Sequence, residues 1–345
     1  MHKYEIRMKN GMVSSLTKEE INSWKKNDIE KFEAESGLRV FKEETGYFHN
    51  VIYNPEYFST DDRYGINHLA FWSRKNERIE QPINASSYFG LFRWFGGQSL
   101  DLSDWDMSEI IDMSYMFEDS NVLKEIRFGS PNTKTAFSFA GMFSGCDRLE
   151  KVDLENLNSS KVENFSQMFY NCKTLEKLDL ASFDVSHANT FEDMFMGCGN
   201  LKLINLDGWD TSSCRNFSDM FRYCRELIDI DLPQINTSSA IKLNGMFYEC
   251  KKLSRFDVKE WDVSHVTKFD NMFAFCDALK SLDLSKWNTK GAKSFTSMFE
   301  GCKNLEQINI DGWDVDSYDI DSRAMFSRCT KLRKSEKVIE ALNAF

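Results

Sequence analysis

The nine cysteines carry the most specific chemistry in this 345-residue sequence, because thiolates bind zinc, form disulfides or act as nucleophiles. Zinc sites usually bring cysteines together in short Cys-x-x-Cys pairs, and the sequence contains no such pair. Eight of the nine instead follow one another at intervals of 26 or 27 residues: Cys146, Cys172, Cys198, Cys224, Cys250, Cys276, Cys302 and Cys329. This spacing predicts neither a metal site nor a disulfide framework.

Two Asp-x-Ser-His segments, residues 184–187 and 262–265, combine the residue types of a hydrolase triad. Triad members converge in space from separate parts of a chain, whereas these residues are neighbours in a recurring turn. The sequence also lacks the signatures G-x-x-x-x-G-K-[ST], G-x-S-x-G and H-E-x-x-H. It therefore predicts a protein that is not an enzyme, with no catalytic residue, no metal site and no cofactor.

The element that places the cysteines is a repeat. A Met-Phe pair recurs every 26 residues from Met116 to Met298, and again at Met325 after 27. Cysteine follows each methionine by four residues, except for Ser120 in the first of these copies, and leucine follows by seven. An earlier, eroded copy contains Leu100, Asp101, Leu102 and Trp105, with Gly90, Leu91 and Trp94 in the places of Met, Phe and Cys.

A period of this length indicates one coil of a solenoid, in which each unit buries its apolar face against its neighbours. Triplets such as Leu178-Asp179-Leu180 alternate between apolar and polar, which predicts short strands stacked in a parallel sheet. Phe165, Met168, Phe169 and Cys172 have the spacing of one helix face, which predicts a short helix in each coil. The predicted class is α/β.

The cysteine column is predicted to pack as a row of small apolar side chains, and Cys214, in another apolar column, is predicted to lie in the core. On this interpretation, Cys224→Ser would destabilise the fold by roughly 1 to 3 kcal/mol through a buried, unpaired hydroxyl.

The recurring corner has Asp in some copies, as at Asp184 and Asp262, and Asn in others, as at Asn158 and Asn236. Both side chains accept a hydrogen bond from the backbone N–H two residues later, which suits a tight turn. Stacked carboxylates could bind calcium, but calcium-binding repeats combine dense acids with glycines, which this corner lacks. The exchange of Asp for Asn predicts a structural corner.

The pattern M-F-x-x-C-x-x-L-x-x-L-D-L-x-x-W-D-V-S-x-V resembles the BspA-like leucine-rich-repeat family over about residues 88–333. The resemblance implies a right-handed solenoid with a role in adhesion or protein binding, and it implies no catalytic residues. Members of that family are surface proteins. No export signal or membrane span is recognisable here, and nine unpaired cysteines fit a reducing compartment, so we expect a cytoplasmic protein without membrane contact.

Three regions are predicted. Residues 1–87 form a small α/β cap domain with a helix over about 18–35 and strands at 38–41 and 47–53. Residues 88–333 form a solenoid of about nine 26-residue repeats, and residues 334–345 form a capping helix. The aromatic residues from Tyr88 to Phe95 are expected to cover the first coil, and a stripe from Val338 to Phe345 is expected to close the last.

The net charge of −11 disfavours direct binding to nucleic acid and favours a basic protein partner. Two surfaces are candidates for partner contact. The acidic stripe comprises outward residues of successive strands: Asp153, Asp179, Asp231, Asp257 and Asp283. The aromatic patch follows the Met-Phe pairs and comprises residue types common in interfaces: Tyr170, Met196, Arg222, Tyr223, Tyr248 and Phe275.

Each surface has a structural and a functional interpretation. The stripe is either a solvated consensus or a docking face, and the rings either fold over the coil edge or bind a partner. The favoured hypothesis is a protein-binding scaffold acting through exposed columns. The alternatives are an acidic inhibitor, such as a phage-encoded nucleic-acid mimic that blocks a host enzyme, and a surface adhesin that lacks its export signal.

Overall fold

The computed structural model describes residues 86–228, 230, 235–254, 257–313, 320–333, 335 and 338–339, with Lys31 and the backbone of four N-terminal strands. These strands form two antiparallel pairs: β1 (Lys3–Arg7) with β2 (Val13–Thr17), and β3 (Arg39–Phe41) with β4 (Val51–Tyr53). The second pair lies within the strands predicted there, whereas the first pair was missed. Apart from Lys31, which is helical, the helix predicted over about 18–35 lies outside the described residues.

Successive coils form parallel ladders of very short strands. These are β5 (Ser99–Asp101), β6 (Glu125–Arg127), β7 (Lys151–Val152), β8 (Lys177–Asp179), β9 (Leu203–Asn205), β10 (Ser281–Asp283) and β11 (Gln307–Asn309). Their registers pair residues 26 apart, as in Leu178 opposite Ile204. Leu178 and Leu180 are buried while Asp179 is exposed, which is the predicted alternation.

The short helix predicted in each coil is wrong. In residues 165–172 the N–H groups alternate between two acceptors instead of all bonding within a helix. Those of Met168, Tyr170 and Cys172 donate to the carbonyl three residues earlier. Four others donate to the next coil, in the pairs Phe165 to Thr190, Gln167 to Glu192, Phe169 to Met194 and Asn171 to Met196, and that of Ser166 donates to the Asn164 side chain. Of the described residues, only Lys31, Val338 and Ile339 are helical.

Two positions in each such run have positive φ, which breaks the helix and keeps the chain progressing in short turns. In residues 165–172 these are Gln167 and Asn171, with φ of 58° and 56°. A type II turn requires positive φ at its third residue, and glycine, asparagine and aspartate adopt this conformation most readily. These turns direct the same side chains inward as one helix face would, which is why the spacing suggested a helix. The four buried side chains are Phe165, Met168, Phe169 and Cys172.

The core contains a continuous stack of phenylalanine rings, one from each coil. Successive ring centroids lie 5.3–5.8 Å apart, within the range for stacked aromatic pairs. The stack runs through Phe92, Phe117, Phe143, Phe169, Phe195, Phe221, Phe247, Phe273, Phe299 and Phe326. It corrects the alignment of the eroded copy by one residue, because Leu91 and Phe92 occupy the Met and Phe positions and Phe95 the Cys position.

The cysteines lie in the core as predicted, except that Cys329 is half-buried. Each thiol of the repeat column also donates a hydrogen bond to the carbonyl oxygen of a phenylalanine in the preceding coil, at 3.0–3.2 Å. Ser120 makes the same bond to the carbonyl of Phe92 at 2.9 Å. The expected cost of Cys224→Ser from an unpaired hydroxyl is therefore wrong, because a serine here has an acceptor.

The predicted corner is present. Asp184 accepts a hydrogen bond from the N–H of Ser186 at 3.0 Å, and Asn158 accepts the equivalent bond from Ser160 at 3.1 Å. At the far end of the chain, Val338 is fully buried and packs in the core cluster, while Leu342 and Phe345 lie outside the described residues.

Thiol titration tests the cysteine column. Burial raises the pKa of Cys198 to about 12, whereas that of the half-buried Cys329 is raised only to about 11. We expect denatured, unreduced protein to react at nine thiols, and native protein to react slowly and first at Cys329. A large shortfall of reactive thiols in the denatured sample would show disulfides and contradict the buried column.

Stability should fall in acid because of the corner aspartates. Hydrogen bonds from Ser186 lower the pKa of Asp184, and those from Ser212 and Ser264 do the same for Asp210 and Asp262. A lowered pKa contributes stability above the ordinary value of about 4, and this contribution is lost as pH falls through the lowered value.

We therefore expect the free energy of unfolding, measured with denaturant, to decrease as the pH falls below about 4. The matched variant is Asp184→Asn, because Asn158 shows that asparagine forms the same corner. It should weaken the pH dependence with little change at neutral pH. An unchanged dependence would mean that this corner does not contribute.

Candidate functional site

The candidate site lies on two neighbouring columns, and in one of them every residue has a left-handed backbone. This left-handed column follows each Met by three residues, with φ of 56–79°: Trp94, Asp119, Gly145, Asn171, Gly197, Tyr223, Glu249, Phe275, Gly301 and Arg328. Glycine, asparagine and aspartate suit that conformation, and a bulky side chain in it costs about 1–2 kcal/mol. The backbone of this column therefore does not account for its aromatic residues.

Three rings of the predicted aromatic patch are brought together. Tyr223 meets Tyr248 edge to face with centroids 5.4 Å apart, and Tyr248 meets Phe275 in the same way at 5.5 Å. The ring of Phe275 fills the space that a side chain at Gly301 of the next coil would occupy. All three residues are half-buried, so part of each ring packs along the coil edge and part faces solvent.

Arg222 holds these rings in place. Its guanidinium lies 4.0 Å from the Tyr248 ring centre and 4.9 Å from that of Tyr223, within cation–π range. It also donates to Asp219 at 3.0 Å and to the Tyr223 hydroxyl at 3.3 Å. Burial acts to lower the pKa of Arg222, but these hydrogen bonds raise it overall. The cluster is preorganised by contacts within the chain.

Tyr170 and Met196 extend the patch towards the N-terminus. They occupy the same column as Arg222 in the two preceding coils, and both are half-buried. The coils are joined by hydrogen bonds from Asn171 N–H to the Met196 carbonyl and from Gly197 N–H to the Arg222 carbonyl. The predicted patch is therefore one continuous surface along the coil edge.

Aspartates of the acidic stripe stabilise turns by accepting backbone hydrogen bonds. Asp179, Asp257 and Asp283 each accept a hydrogen bond from the N–H two residues later. Asp179 also accepts from the Asn205 amide, and Asp283 pairs with Lys259, which lowers the pKa of Asp283 to about 2. Asp153 is exposed, and Asp231 lies outside the described residues. The stripe can thus be explained by the fold, with its charge partly neutralised.

The described residues contain no group of three or more His, Cys, Asp and Glu side chains arranged to hold a metal ion. Within the same part of the chain, no helix has the length and apolar character needed to cross a membrane.

Comparison with protein families matches overlapping stretches of the chain, residues 86–204, 154–255, 189–281 and 228–338, to a family described as "Mycoplasma protein of unknown function, DUF285". Comparison with curated proteins returned no match. Two solved structures of leucine-rich repeat proteins are similar to the chain.

One, from T. pallidum, is 21% identical, with a TM-score of 0.28 over 42% of this chain and 60% of that one. The other, from Bacteroides ovatus ATCC 8483, is 14% identical, with a TM-score of 0.34 over 86% of this chain and 79% of that one. The chain therefore spans 60% of the length of the T. pallidum protein.

The backbone strain predicts how stability responds to removal of the rings. Tyr223→Asn relieves a left-handed tyrosine, worth about 1–2 kcal/mol, and loses ring contacts worth about 0.5–1.5 kcal/mol each. We expect the free energy of unfolding to change by less than about 1 kcal/mol, measured by denaturant titration. The buried Phe273→Ala, by comparison, should cost about 3–5 kcal/mol. A loss for Tyr223→Asn as large as that for Phe273→Ala would show that the ring is part of the core.

Proposed function

We propose, on the premise that the chain belongs to the DUF285 family of repeat proteins, that it is a non-enzymatic protein-binding scaffold whose partner contacts the aromatic patch. The proposal is supported chiefly by one observation: Tyr223 and Phe275 stand at left-handed positions that favour glycine or asparagine, as in Asn171 and Gly197. Strained side chains that the fold does not require are typical of functional sites.

The chemistry of the cluster also supports binding. Tyrosine and arginine are the residues most often found at the energetic centre of interfaces. Here Arg222 is held by Tyr248 and Asp219 before any partner arrives, so its ordering costs little on binding. A preorganised, half-buried aromatic surface of this kind suits a protein partner.

The alternative, an acidic inhibitor or nucleic-acid mimic acting through the acidic stripe, has weaker support. The stripe is interrupted by Asn205, and Asp179, Asp257 and Asp283 accept hydrogen bonds that stabilise turns. A cytoplasmic location remains part of the proposal, and the free thiols of all nine cysteines support it.

The test compares matched variants in parallel affinity capture from a lysate of the native host, followed by affinity measurement with each purified candidate. The patch variant combines Tyr223→Asn and Phe275→Gly, residues that the same column carries elsewhere. The stripe variant combines Asp179→Asn and Asp257→Asn, which keep the turn hydrogen bonds and remove charge. We expect the patch variant to lose at least about 2 kcal/mol of affinity, or about thirtyfold, and the stripe variant to bind normally.

Salt provides a second measurement. Affinity that resides in the rings should change little as ionic strength rises, whereas a charge-based contact weakens. Binding that survives in the patch variant but fails in the stripe variant and at high salt would favour the inhibitor hypothesis instead.

A further inference from the structure

The first coil repeats the construction of the patch. Arg93 and Trp94 occupy the same two repeat positions as Arg222 and Tyr223. The Trp94 N–H donates to the backbone carbonyl of Glu118, just as the Tyr223 N–H donates to that of Tyr248. The Arg93 guanidinium lies 4.6 Å from the Trp94 ring centre, against 4.9 Å for Arg222 and Tyr223. Trp94 and Tyr223 both have left-handed backbones, with φ of 58° and 62°.

Both arginines are also fixed by a carboxylate. Arg93 lies 2.7 Å from Glu118, and Arg222 lies 3.0 Å from Asp219. The sequence predicts that Trp94 helps to cover the first coil, but the aromatic residues buried there are Tyr88, Phe92 and Phe95, while Trp94 is only half-buried. The two arginine–aromatic pairs thus share their repeat positions, although Glu118 belongs to the coil after Arg93 and Asp219 to the same coil as Arg222.

The pairs are separated by a fixed distance along the stack. Five coil steps connect Trp94 to Tyr223, through Asp119, Gly145, Asn171 and Gly197. At about 4.8 Å for each step, the rings are about 24 Å apart, and Phe275, two steps further, is about 34 Å from Trp94. A partner that contacts both pairs must therefore be elongated and lie along the direction of stacking.

The stretch between the pairs is acidic and contains several small side chains. Its side chains are Glu118, Asp119, Ser144, Gly145, Tyr170, Asn171, Met196 and Gly197. The Glu118 carboxylate is paired with Arg93, whereas Asp119 accepts a hydrogen bond from the neutral Trp94 indole and keeps its charge available to a partner. Asp193, from the second left-handed column, lies in a coil of the same stretch, and burial raises its pKa. A cationic group from a partner would offset that cost.

The backbone of this surface limits what can bind to it. From Trp94 to Gly301, the left-handed residues donate their N–H groups to carbonyls of the next coil. These described residues therefore offer no edge to which an extended strand could add. Recognition must proceed through side chains, which suits a partner whose own backbone bonds are already satisfied, as in an α-helix.

We propose that the surface from Trp94 to Phe275 binds one basic, amphipathic α-helix of a partner protein, anchored at both arginine–aromatic pairs. This inference rests on the proposed function and adds the shape, charge and length of the partner. A helix rises 1.5 Å per residue, so its two apolar anchors stand about 16 residues apart. A lysine or arginine side chain between the anchors faces Asp119.

The probes are two displayed peptide libraries of about 28 residues, long enough to span both pairs as a helix. One consists of alanine- and lysine-based helices randomised on one face, and the other carries regular prolines that keep each peptide extended. Selected peptides are measured against the full chain, Trp94→Asn, Tyr223→Asn and the control Asn271→Gly. The control changes the second left-handed column and leaves both pairs intact.

We expect enrichment of basic helices that lose at least about tenfold in affinity with either pair variant and nothing with the control. Loss with Tyr223→Asn alone would overturn the two-anchor inference and leave the proposed function standing. Loss with neither pair variant would contradict both. Enrichment of the proline library alone would contradict the inference that the partner segment is helical. Should Trp94→Asn lower the unfolding temperature, Arg93→Gln tests the same anchor.

Discussion

The structure depends on one hydrogen-bond arrangement: every second N–H of the Met-Phe segment donates to the next coil instead of to its own. Phe165, Gln167, Phe169 and Asn171 all do so. This satisfies the backbone across a stack of coils whose strands are only two or three residues long. The intervening N–H groups close local turns, which is possible only if the chain inverts twice in each coil. The left-handed positions are therefore a requirement of the ladder.

That requirement separates the roles of the columns. Inward positions carry the phenylalanine stack and the thiols that bond to its carbonyl groups, so their side chains are fixed by packing and by one acceptor. The left-handed column imposes only a backbone conformation. Where it carries Gly197 or Asn171, the conformation suffices as an explanation, and where it carries Trp94, Tyr223 or Phe275, it does not. The contrast within one column separates the side chains that the backbone conformation explains from those for which we propose a role in binding.

Much of the fold could be predicted from sequence because stacking imposes a strict period. The core columns, the strand alternation and the Asp or Asn corners follow from residue type at fixed spacing. The helix in each coil was wrong because spacings of 0, 3, 4 and 7 also arise in turns that alternate in handedness. The signal was present in Gly141, Gly145, Gly197, Gly245 and Gly301, since glycine recurring at two positions of a helix is unfavourable. The predicted alignment of the eroded copy was wrong by one residue, because it placed Trp94 in the cysteine position that Phe95 occupies.

The site was harder to predict, since which rings meet depends on register between coils. Tyr223, Tyr248 and Phe275 come together although they lie at two different repeat positions, because each ring leans towards the following coil. The pairing of Arg93 with Trp94 could not be predicted because the sequence alignment placed Trp94 in the cysteine position. Each coil is held by its own turns and its two neighbours, so a strained residue in one coil leaves the ladder of the next unchanged. The fold can therefore vary its side chains coil by coil at outward columns such as this one, which the core does not need.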